Sequence, residues 1–229
     1  MPSMAKTKIF VLVLLILIGS LLFSTVYYYL QSTSFQNQLG LDESLLKNST
    51  CSPTTFAHCE HASLLESNFT AAQLMFSDFS RSNLTGSNFE AANLFGSDLI
   101  GADLTDSNFM FANLSFADFI GAHLIRSQLQ DADLYYAHLT GANLSSSNLA
   151  SAYLFSSDLA FSDLLGSNLT HSDLTSADLR NSILTNATLQ NAVLINANLQ
   201  GAEIVGASFL RSLLCHTVMP NGSMVNTNC

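Results

Sequence analysis

The sequence predicts an all-β fold in which most of the chain coils into a narrow tube, and three observations carry this prediction. Every fifth residue from Leu64 to Leu214 is Leu, Phe or Ile, which makes 31 consecutive positions. The residue two places before each of them is always Ala or Ser. No proline occurs between Pro53 and Pro220, so every residue between them keeps the N–H group that pairing between stacked coils requires. A period of five fits neither a helix nor a simple two-faced strand.

The five-residue unit contains a short extended segment and a turn. If the large residue is called i, then i−2 and i point to the same side of an extended chain, as Ala102 and Leu104 do, and Asp103 between them points to the other. The next small residue lies three places after i. In a continuous extended chain its side chain would point to the opposite side, so the backbone must turn to keep it inside. Positions i+1 and i+2 therefore form a corner.

Glycine and asparagine support this assignment of the corners. The residues most tolerant of a positive φ at the third position of a type II turn are glycine and asparagine. All eight glycines inside the array lie at i+2, and four asparagines share that position. These residues are Gly86, Gly96, Gly101, Gly121, Gly141, Gly166, Gly201, Gly206, Asn181, Asn186, Asn191 and Asn196.

The repeated unit, A(D/N)LxG with Ser for Ala and Phe for Leu, resembles the pentapeptide-repeat family over roughly two thirds of the chain, as in Ala102-Asp103-Leu104, Ala142-Asn143-Leu144 and Ala197-Asn198-Leu199. The resemblance implies a right-handed quadrilateral parallel β-helix with four pentapeptides per coil. The 31 pentapeptides then make nearly eight coils. At about 4.8 Å per stacked layer the tube is roughly 37 Å long.

With four units per coil, the same position of every fourth unit stacks in one column. Phe69, Phe89 and Phe109 form such a column, and Phe79 and Phe119 lie two sides away. Burial of one Leu or Phe contributes about 1.5–3 kcal/mol, so the row of core residues dominates the stability of the tube. The N-terminal half should have an aromatic core.

An apolar segment precedes the array. Residues 9–30 carry no charge, Lys6 and Lys8 precede them, and Tyr27-Tyr28-Tyr29 lies near their end. A helix of this length spans about 33 Å, enough for a bilayer core. We expect a single transmembrane anchor with its N-terminus in the cytoplasm and the β-helix in the periplasm or an equivalent lumen. The alternative is a cleaved signal peptide and secretion, although no A-x-A site follows.

The sequence therefore divides into four parts. Residues 1–30 form a cytoplasmic stub and the anchor, and residues 31–56 form a linker and N-terminal cap in which leucines indicate an amphipathic turn or helix. The β-helix occupies residues 57–214, beginning with the unit that holds Cys59 at the core position. Residues 215–229, with a Pro-Asn-Gly turn, are expected to form a hairpin that closes the C-terminal end.

The four cysteines, Cys51, Cys59, Cys215 and Cys229, lie only in the two expected caps. An even number placed in this way predicts one disulfide per cap in an oxidising compartment. Zinc is an alternative at the N-terminal cap, because Cys51, His58, Cys59 and His61 are all zinc-ligand types. Their spacing matches no common zinc motif, and free thiols are a further alternative.

Several other features are consequences of the repeat. The net charge of −10 comes largely from acids at i−1, where the unit requires Asp or Asn. Five of the eight N-x-S/T sequons arise from the same repeat pattern, with Asn at i−1 followed by Leu or Phe and then Ser or Thr. We predict no catalytic residues, cofactor or metal, because the six histidines lie at no spacing typical of a catalytic triad and the glycines are explained by corners.

Aromatic residues at outward positions are the candidate functional feature. With four units per coil, eight large residues fall on one side of the tube, and we name this set the aromatic wall. Apolar strips of this kind mark interaction surfaces, and Tyr and Phe suit protein partners. There are two alternatives to an interaction surface: residues 31–48 of the same chain cover the aromatic wall, or the corners simply tolerate aromatic residues. The aromatic wall consists of Met75, Phe76, Phe95, Phe116, Tyr135, Tyr136, Tyr153 and Phe155.

The sequence thus predicts a non-catalytic, membrane-anchored scaffold whose aromatic wall binds an unidentified protein or a second copy of the chain. The alternative is an acidic DNA mimic that inhibits a nucleic-acid enzyme, which is the activity of the family's gyrase-protecting quinolone-resistance members. Those members act in the cytoplasm, and the export segment disfavours this alternative.

Overall fold

A computed structural model of the protein describes Cys51, residues 55–227 and Cys229. The expected anchor at residues 9–30 and most of the expected linker and cap at residues 31–56 lie outside the described residues. Among the residues that are described, no helix has both the length and the apolar character needed to cross a membrane.

Backbone pairing runs along the whole repeat array. Each residue that precedes a core position forms a parallel bridge with the residue at the same position of the fourth unit after it, from His58 with Asp78 to Asn198 with Val218. Between these bridges, each core N–H donates to the next coil; that of Leu104, for example, donates to the carbonyl of His123 at 2.7 Å. One coil therefore consists of four pentapeptides and has four sides, each made by one of them.

The corners are turns closed by a hydrogen bond from the N–H of residue i+3 to the carbonyl of residue i, as between Ala102 and Leu99 at 3.0 Å. The predicted positive φ at i+2 is confirmed, with 61° at Gly101 and 56° at Asn181. Residues other than glycine and asparagine share it, including Arg126 at 56°. This conformation costs about 1–2 kcal/mol in an L-residue. The N–H of Arg126 donates to the carbonyl of Ser145 at 3.0 Å, and such bonds to the next coil hold the corners in place.

The large residues of the repeat form one continuous core. From Leu74 to Leu199 each of them is at most 1% exposed. The aromatic column is confirmed, because the ring of Phe89 stacks between those of Phe69 and Phe109 at centroid distances of 4.8 and 4.7 Å. The ring of Phe79 approaches from the opposite side and meets Phe69 edge-on at 5.9 Å.

Two strands follow the array and form an antiparallel hairpin. Strand β1 comprises Leu214–Val218, and strand β2 comprises Met224–Thr227. The turn between them is closed by the N–H of Gly222, which donates to the carbonyl of Met219 at 2.8 Å. β1 begins at the last core residue of the array, one residue earlier than the expected boundary of 215. Among the described residues, β2 pairs only with β1 and leaves two sides of the last coil uncovered.

Candidate protein-interaction surface

The structure places seven residues of the aromatic wall at one corner of the tube rather than on a flat side. Met75, Phe95, Tyr135 and Phe155 occupy position i+1 of that corner in four coils, and the remaining corner residues occupy i+2. Tyr153 lies at position i−1 of the adjoining side. The period of four pentapeptides brings all eight into one vertical strip. The three residues at i+2 are Phe76, Phe116 and Tyr136.

The rings of the aromatic wall contact one another from coil to coil. Phe76 meets Phe95 at a centroid distance of 5.6 Å, and Phe95 meets Phe116 at 5.4 Å. Phe116 stacks on Tyr136 at 5.5 Å. Phe116 also meets Tyr135 at 5.5 Å, and the ring of Phe155 stacks on Tyr135 at 5.6 Å and completes the row. These separations lie in the range in which aromatic pairs attract each other. The strip is therefore a continuous packed surface.

Phe56 extends the aromatic wall by one coil, and the sequence analysis did not include it. Its ring stacks on Phe76 at 5.6 Å with an interplanar angle of 14°. The available signal was register, since Phe56 lies four pentapeptides before Phe76. The predicted boundary of the array at residue 57 excludes it.

A glycine makes room for the second ring of the row. A Cβ atom added at Gly96 would lie 2.8 Å from Cε1 of Phe76. Gly96 occupies the i+2 position one coil after Phe76, and it is buried. The ring of Phe76 therefore lies directly over the backbone of Gly96, where any larger residue would displace it.

The aromatic wall is accessible in part and carries no charge near neutral pH. Phe56, Tyr136 and Tyr153 are exposed, and the other members are half-buried. Burial raises the pKa of the Tyr135 and Tyr153 hydroxyls above its usual value, so both side chains stay neutral. Two more exposed aromatic residues, Phe111 and Phe161, lie at different corners.

A column of acidic residues occupies the side that follows this corner. Each of its aspartates accepts the N–H of the residue two places later, as Asp98 does from Ile100 at 2.9 Å. Burial raises the pKa of the Asp98 carboxyl, and the carboxylates of Asp78 and Asp118 raise it further. The Asp118 carboxylate, whose Oδ2 lies 3.7 Å from His138 Nδ1, raises the pKa of that imidazole. The column comprises Asp78, Asp98, Asp118, Asp158 and Asp178, with His58 and His138 in the same register.

Both pairs of cysteines form disulfides. One joins Cys51 to Cys59 and the other joins Cys215 to Cys229. Cys59 is buried at the core position of its unit. Because the sulfur atoms of Cys51 and Cys59 are bonded to each other, they are not available as zinc thiolates. Within the described residues, no cluster of His, Cys, Asp and Glu has a geometry that holds a metal ion.

The histidine contacts do not provide a catalytic nucleophile in the described part of the chain. His216 Nδ1 lies 3.6 Å from Cys215 Sγ, but that sulfur belongs to a disulfide. His138 Nδ1 lies 3.7 Å from Asp118 Oδ2 on the acidic column.

The repeat signature decides the family. Eight copies of the pentapeptide repeat match the chain, and together they cover more than half of it. The chain belongs to the pentapeptide-repeat family. The matched stretches of pentapeptide repeats are residues 55–90, 72–110, 87–124, 112–149, 152–191 and 172–209.

Several solved pentapeptide-repeat structures match this chain. HetL, involved in heterocyst differentiation regulation in Nostoc sp. strain PCC 7120, is 29% identical over 75% of this chain and 92% of its own, with a TM-score of 0.30. A protein of the Arabidopsis thaliana thylakoid lumen is 29% identical over 39% of this chain and 63% of its own, with a TM-score of 0.38. QnrB1, a plasmid-mediated fluoroquinolone resistance protein, is 19% identical over 70% of this chain and 86% of its own, with a TM-score of 0.31. The comparison with curated proteins found no match.

Proposed function

We propose that this pentapeptide-repeat protein is a non-catalytic, membrane-anchored interaction module that binds a protein partner through the aromatic wall. The observation that carries the proposal is the unbroken row of ring contacts from Phe56 to Phe155. A packed row of rings on a rigid tube loses little conformational entropy when it binds, because its side chains are already ordered. Tyr136 and Tyr153 add hydroxyl groups that can hydrogen-bond at the rim of an interface.

The proposed location is outside the cytoplasm. The uncharged residues 9–30 are long enough to span a bilayer, and Lys6 and Lys8 favour a cytoplasmic N-terminus. Disulfides at both ends of the β-helix support an oxidising compartment. The nearly eight coils of the array then project into a periplasm or lumen. Secretion after cleavage of the leader would leave the same surface without its anchor.

The binding surface is tested with a fourfold serine variant of the full chain. We expect Phe95→Ser, Phe116→Ser, Tyr135→Ser and Phe155→Ser together to abolish co-purification of a defined partner, identified by a photo-cross-linker at position 136. The matched control is Phe111→Ser with Phe161→Ser, which removes two exposed rings at other corners. Circular dichroism should show the same β-rich spectrum for both variants.

The outcomes of this experiment are distinct. Retention of the partner by a folded fourfold variant rejects the proposed surface. Cross-links from position 136 to residues 31–48 of the same chain also reject it, because they assign the aromatic wall to internal packing. Cross-links between two copies of the chain point to self-association instead of a separate partner.

The anchor is tested by alkaline carbonate extraction. The full chain should remain with the membrane pellet, whereas a variant that lacks residues 1–30 should be released. A tag at the C-terminus should be cleaved by protease added outside the cytoplasm. Extraction of the full chain, or a tag reached only from the cytosol, contradicts the proposed location.

A further inference from the structure

The aromatic wall has carboxylates along both of its edges. The acidic column runs along the side that follows the corner, in step with the rings, so that Asp98 comes three positions after Phe95. On the side before the corner, Asp133 and Asp173 share one column with Tyr153 and lie on either side of it. All of these aspartates are half-buried. The aromatic wall is therefore an apolar strip with negative charge on both sides.

Most of these carboxylates have no basic partner in the described part of the chain. Arg180 pairs with Asp178 at 2.6 Å, and Asp118 lies 3.7 Å from the imidazole of His138. The remaining aspartates beside the wall form no ion pair with any described residue. They are Asp78, Asp98, Asp133, Asp158 and Asp173. A partner with positive charge can neutralise them.

Stacking brings the carboxylates of the acidic column close to one another. Successive coils are about 4.8 Å apart, and like charges at such a separation repel. Burial raises the pKa of the Asp98 carboxyl, and the carboxylates of Asp78 and Asp118 raise it further. A cation placed between neighbouring members relieves this repulsion. The charge pattern therefore favours a basic partner and disfavours an acidic protein or a nucleic acid.

Backbone N–H groups of the aromatic wall are paired within the tube. The N–H of Phe76 donates to the carbonyl of Phe95 at 2.9 Å, and the N–H of Phe116 donates to the carbonyl of Tyr135 at 2.9 Å. An added strand needs a row of free N–H and C=O groups, which these paired groups do not supply. A helix needs no such row, because its own hydrogen bonds satisfy its backbone. The surface therefore fits a helix better than a strand.

A helix that lies along the tube keeps step with the rings. From Phe56 to Phe155 the aromatic wall spans five coils, which is about 24 Å at about 4.8 Å per layer. This length corresponds to about 16 helical residues at about 1.5 Å per residue. One helical turn rises about 5.4 Å, so the mismatch accumulated over five coils is about 3 Å, less than one turn. Apolar residues that recur once per turn can thus meet successive rings.

We infer that the partner of the aromatic wall is a cationic amphipathic helix whose apolar stripe packs on the rings and whose Lys or Arg side chains contact the acidic column. This inference rests on the proposed function, because it takes the aromatic wall to be a binding surface. It adds the chemical class of the partner and the direction in which the partner lies.

Three synthetic peptides of about 16 residues, the helical length that matches the wall, are the probes. The first carries leucines at helical spacing with lysines on both flanks of the stripe. The second has glutamate in place of lysine. The third has the composition of the first in strict alternation, which favours a strand. Fluorescence anisotropy measures the Kd of each peptide for the full chain in nanodiscs of zwitterionic lipid, with empty nanodiscs as the blank.

We expect only the first peptide to bind, with an affinity that falls as the salt concentration rises. Asp98→Asn with Asp118→Asn should raise its Kd by about fivefold or more, because two charge contacts are lost. The matched control is Asp103→Asn with Asp163→Asn. These two aspartates are also half-buried and accept the N–H of the residue two places later, but they lie on the side opposite that of Tyr153. The control pair should leave the Kd unchanged.

Four outcomes overturn the inference. The first is the absence of binding by the helical basic peptide. The second is an equal loss of affinity in the two asparagine pairs, which indicates general attraction to a chain of net charge −10. The third is equally tight binding of the acidic peptide, and the fourth is equally tight binding of the alternating peptide.

The fourfold serine variant separates failure of this inference from failure of the proposed function. If the acidic or the alternating peptide binds and the fourfold serine variant abolishes that binding, the aromatic wall remains a binding surface and only the cationic helix is rejected. If the helical basic peptide binds the folded fourfold serine variant as tightly as the parent protein, the inference and the proposed surface are both rejected.

Discussion

Gly96 illustrates how one residue is constrained by the coil stacked beside it. Its φ of 62° resembles that of many corners occupied by larger residues, so backbone conformation alone does not require glycine here. The ring of Phe76, which would lie 2.8 Å from an added Cβ, does require it. Gly141 has a similar φ of 66° and no atom within 4 Å of the same added atom. The two glycines therefore separate the backbone effect from the packing effect.

Gly96→Ala is expected to destabilise the β-helix more than Gly141→Ala does. Both substitutions place an L-residue at positive φ, which costs about 1–2 kcal/mol. Gly96→Ala should cost about 1–3 kcal/mol more, because it crowds the ring of Phe76. Denaturant unfolding measures the loss of stability in each variant. In a double variant that also carries Phe76→Ala, the extra cost of Gly96→Ala should disappear. Equal costs at the two glycines would contradict the proposed contact.

Asp98 is expected to be a destabilising residue at neutral pH. Its pKa is higher in the folded state than in the unfolded chain. Ionisation of the carboxyl therefore lowers the stability of the folded state. This stability is regained as the pH falls through the folded-state pKa. Asp98→Asn keeps an oxygen to accept the Ile100 N–H and removes the charge. Its Tm at pH 7 should rise by at most about 3 °C. The difference in Tm between the variant and the parent protein should vanish below about pH 3, where Asp98 is protonated in both the folded and the unfolded state. A lower Tm for Asp98→Asn than for the parent protein at pH 7 would contradict the expected destabilisation.

At the level of elements, the corners and the hairpin are stabilised by different interactions. Each corner is held by bonds to the next coil as well as by its own turn, so the same turn accepts Gly101, Asn181 and Arg126. The hairpin has no following coil. Among the described residues its β2 strand pairs only with β1, and the Cys215–Cys229 disulfide ties the residue at the chain's end to β1.

Removal of the C-terminal disulfide is expected to loosen the hairpin and leave the tube folded. The bond closes a loop between cysteines 14 positions apart. In the chain-entropy model a loop of this size contributes about 3 kcal/mol. Cys215→Ser with Cys229→Ser should therefore speed the hydrogen exchange of β2 amides, whereas the exchange of Leu144 should not change. Unchanged protection of β2 would show that its backbone pairing alone is sufficient.

Much of the whole molecule follows from the five-residue period, but the number of sides does not. Every pentapeptide has the same inward residues, so this local pattern fits a coil of any number of sides. The family resemblance implies the four-sided coil. Within the sequence it is supported only by features that recur every fourth pentapeptide, such as the column of Phe69, Phe89 and Phe109. The ring-to-ring contacts of the aromatic wall and the open half of the C-terminal end depend on stacking between coils. These features therefore required the structure.

Insertion of repeats tests whether the aromatic wall depends on register. Duplication of residues 122–126 adds one pentapeptide and moves Tyr135 and Phe155 one corner away from Phe116. Duplication of residues 107–126 adds a full coil and keeps the rings in line. Both variants should retain a Tm within about 5 °C of the parent protein, because each inserted unit buries its own core residue. Only the single-pentapeptide insertion should lose the partner identified with the parent protein; equal binding by both insertions would contradict a continuous wall.

The central claim, a coil of four pentapeptides, is tested most directly by the distance between spin labels at Thr85→Cys and Thr185→Cys. The four native cysteines are paired, so the introduced thiols are the intended labelling sites. The two positions lie at the same corner and are separated by five coils, which predicts a narrow distribution near about 24 Å at about 4.8 Å per layer. A coil of three pentapeptides would instead place them about 32 Å apart along the tube. That longer distance, or a broad distribution, would contradict the four-sided tube.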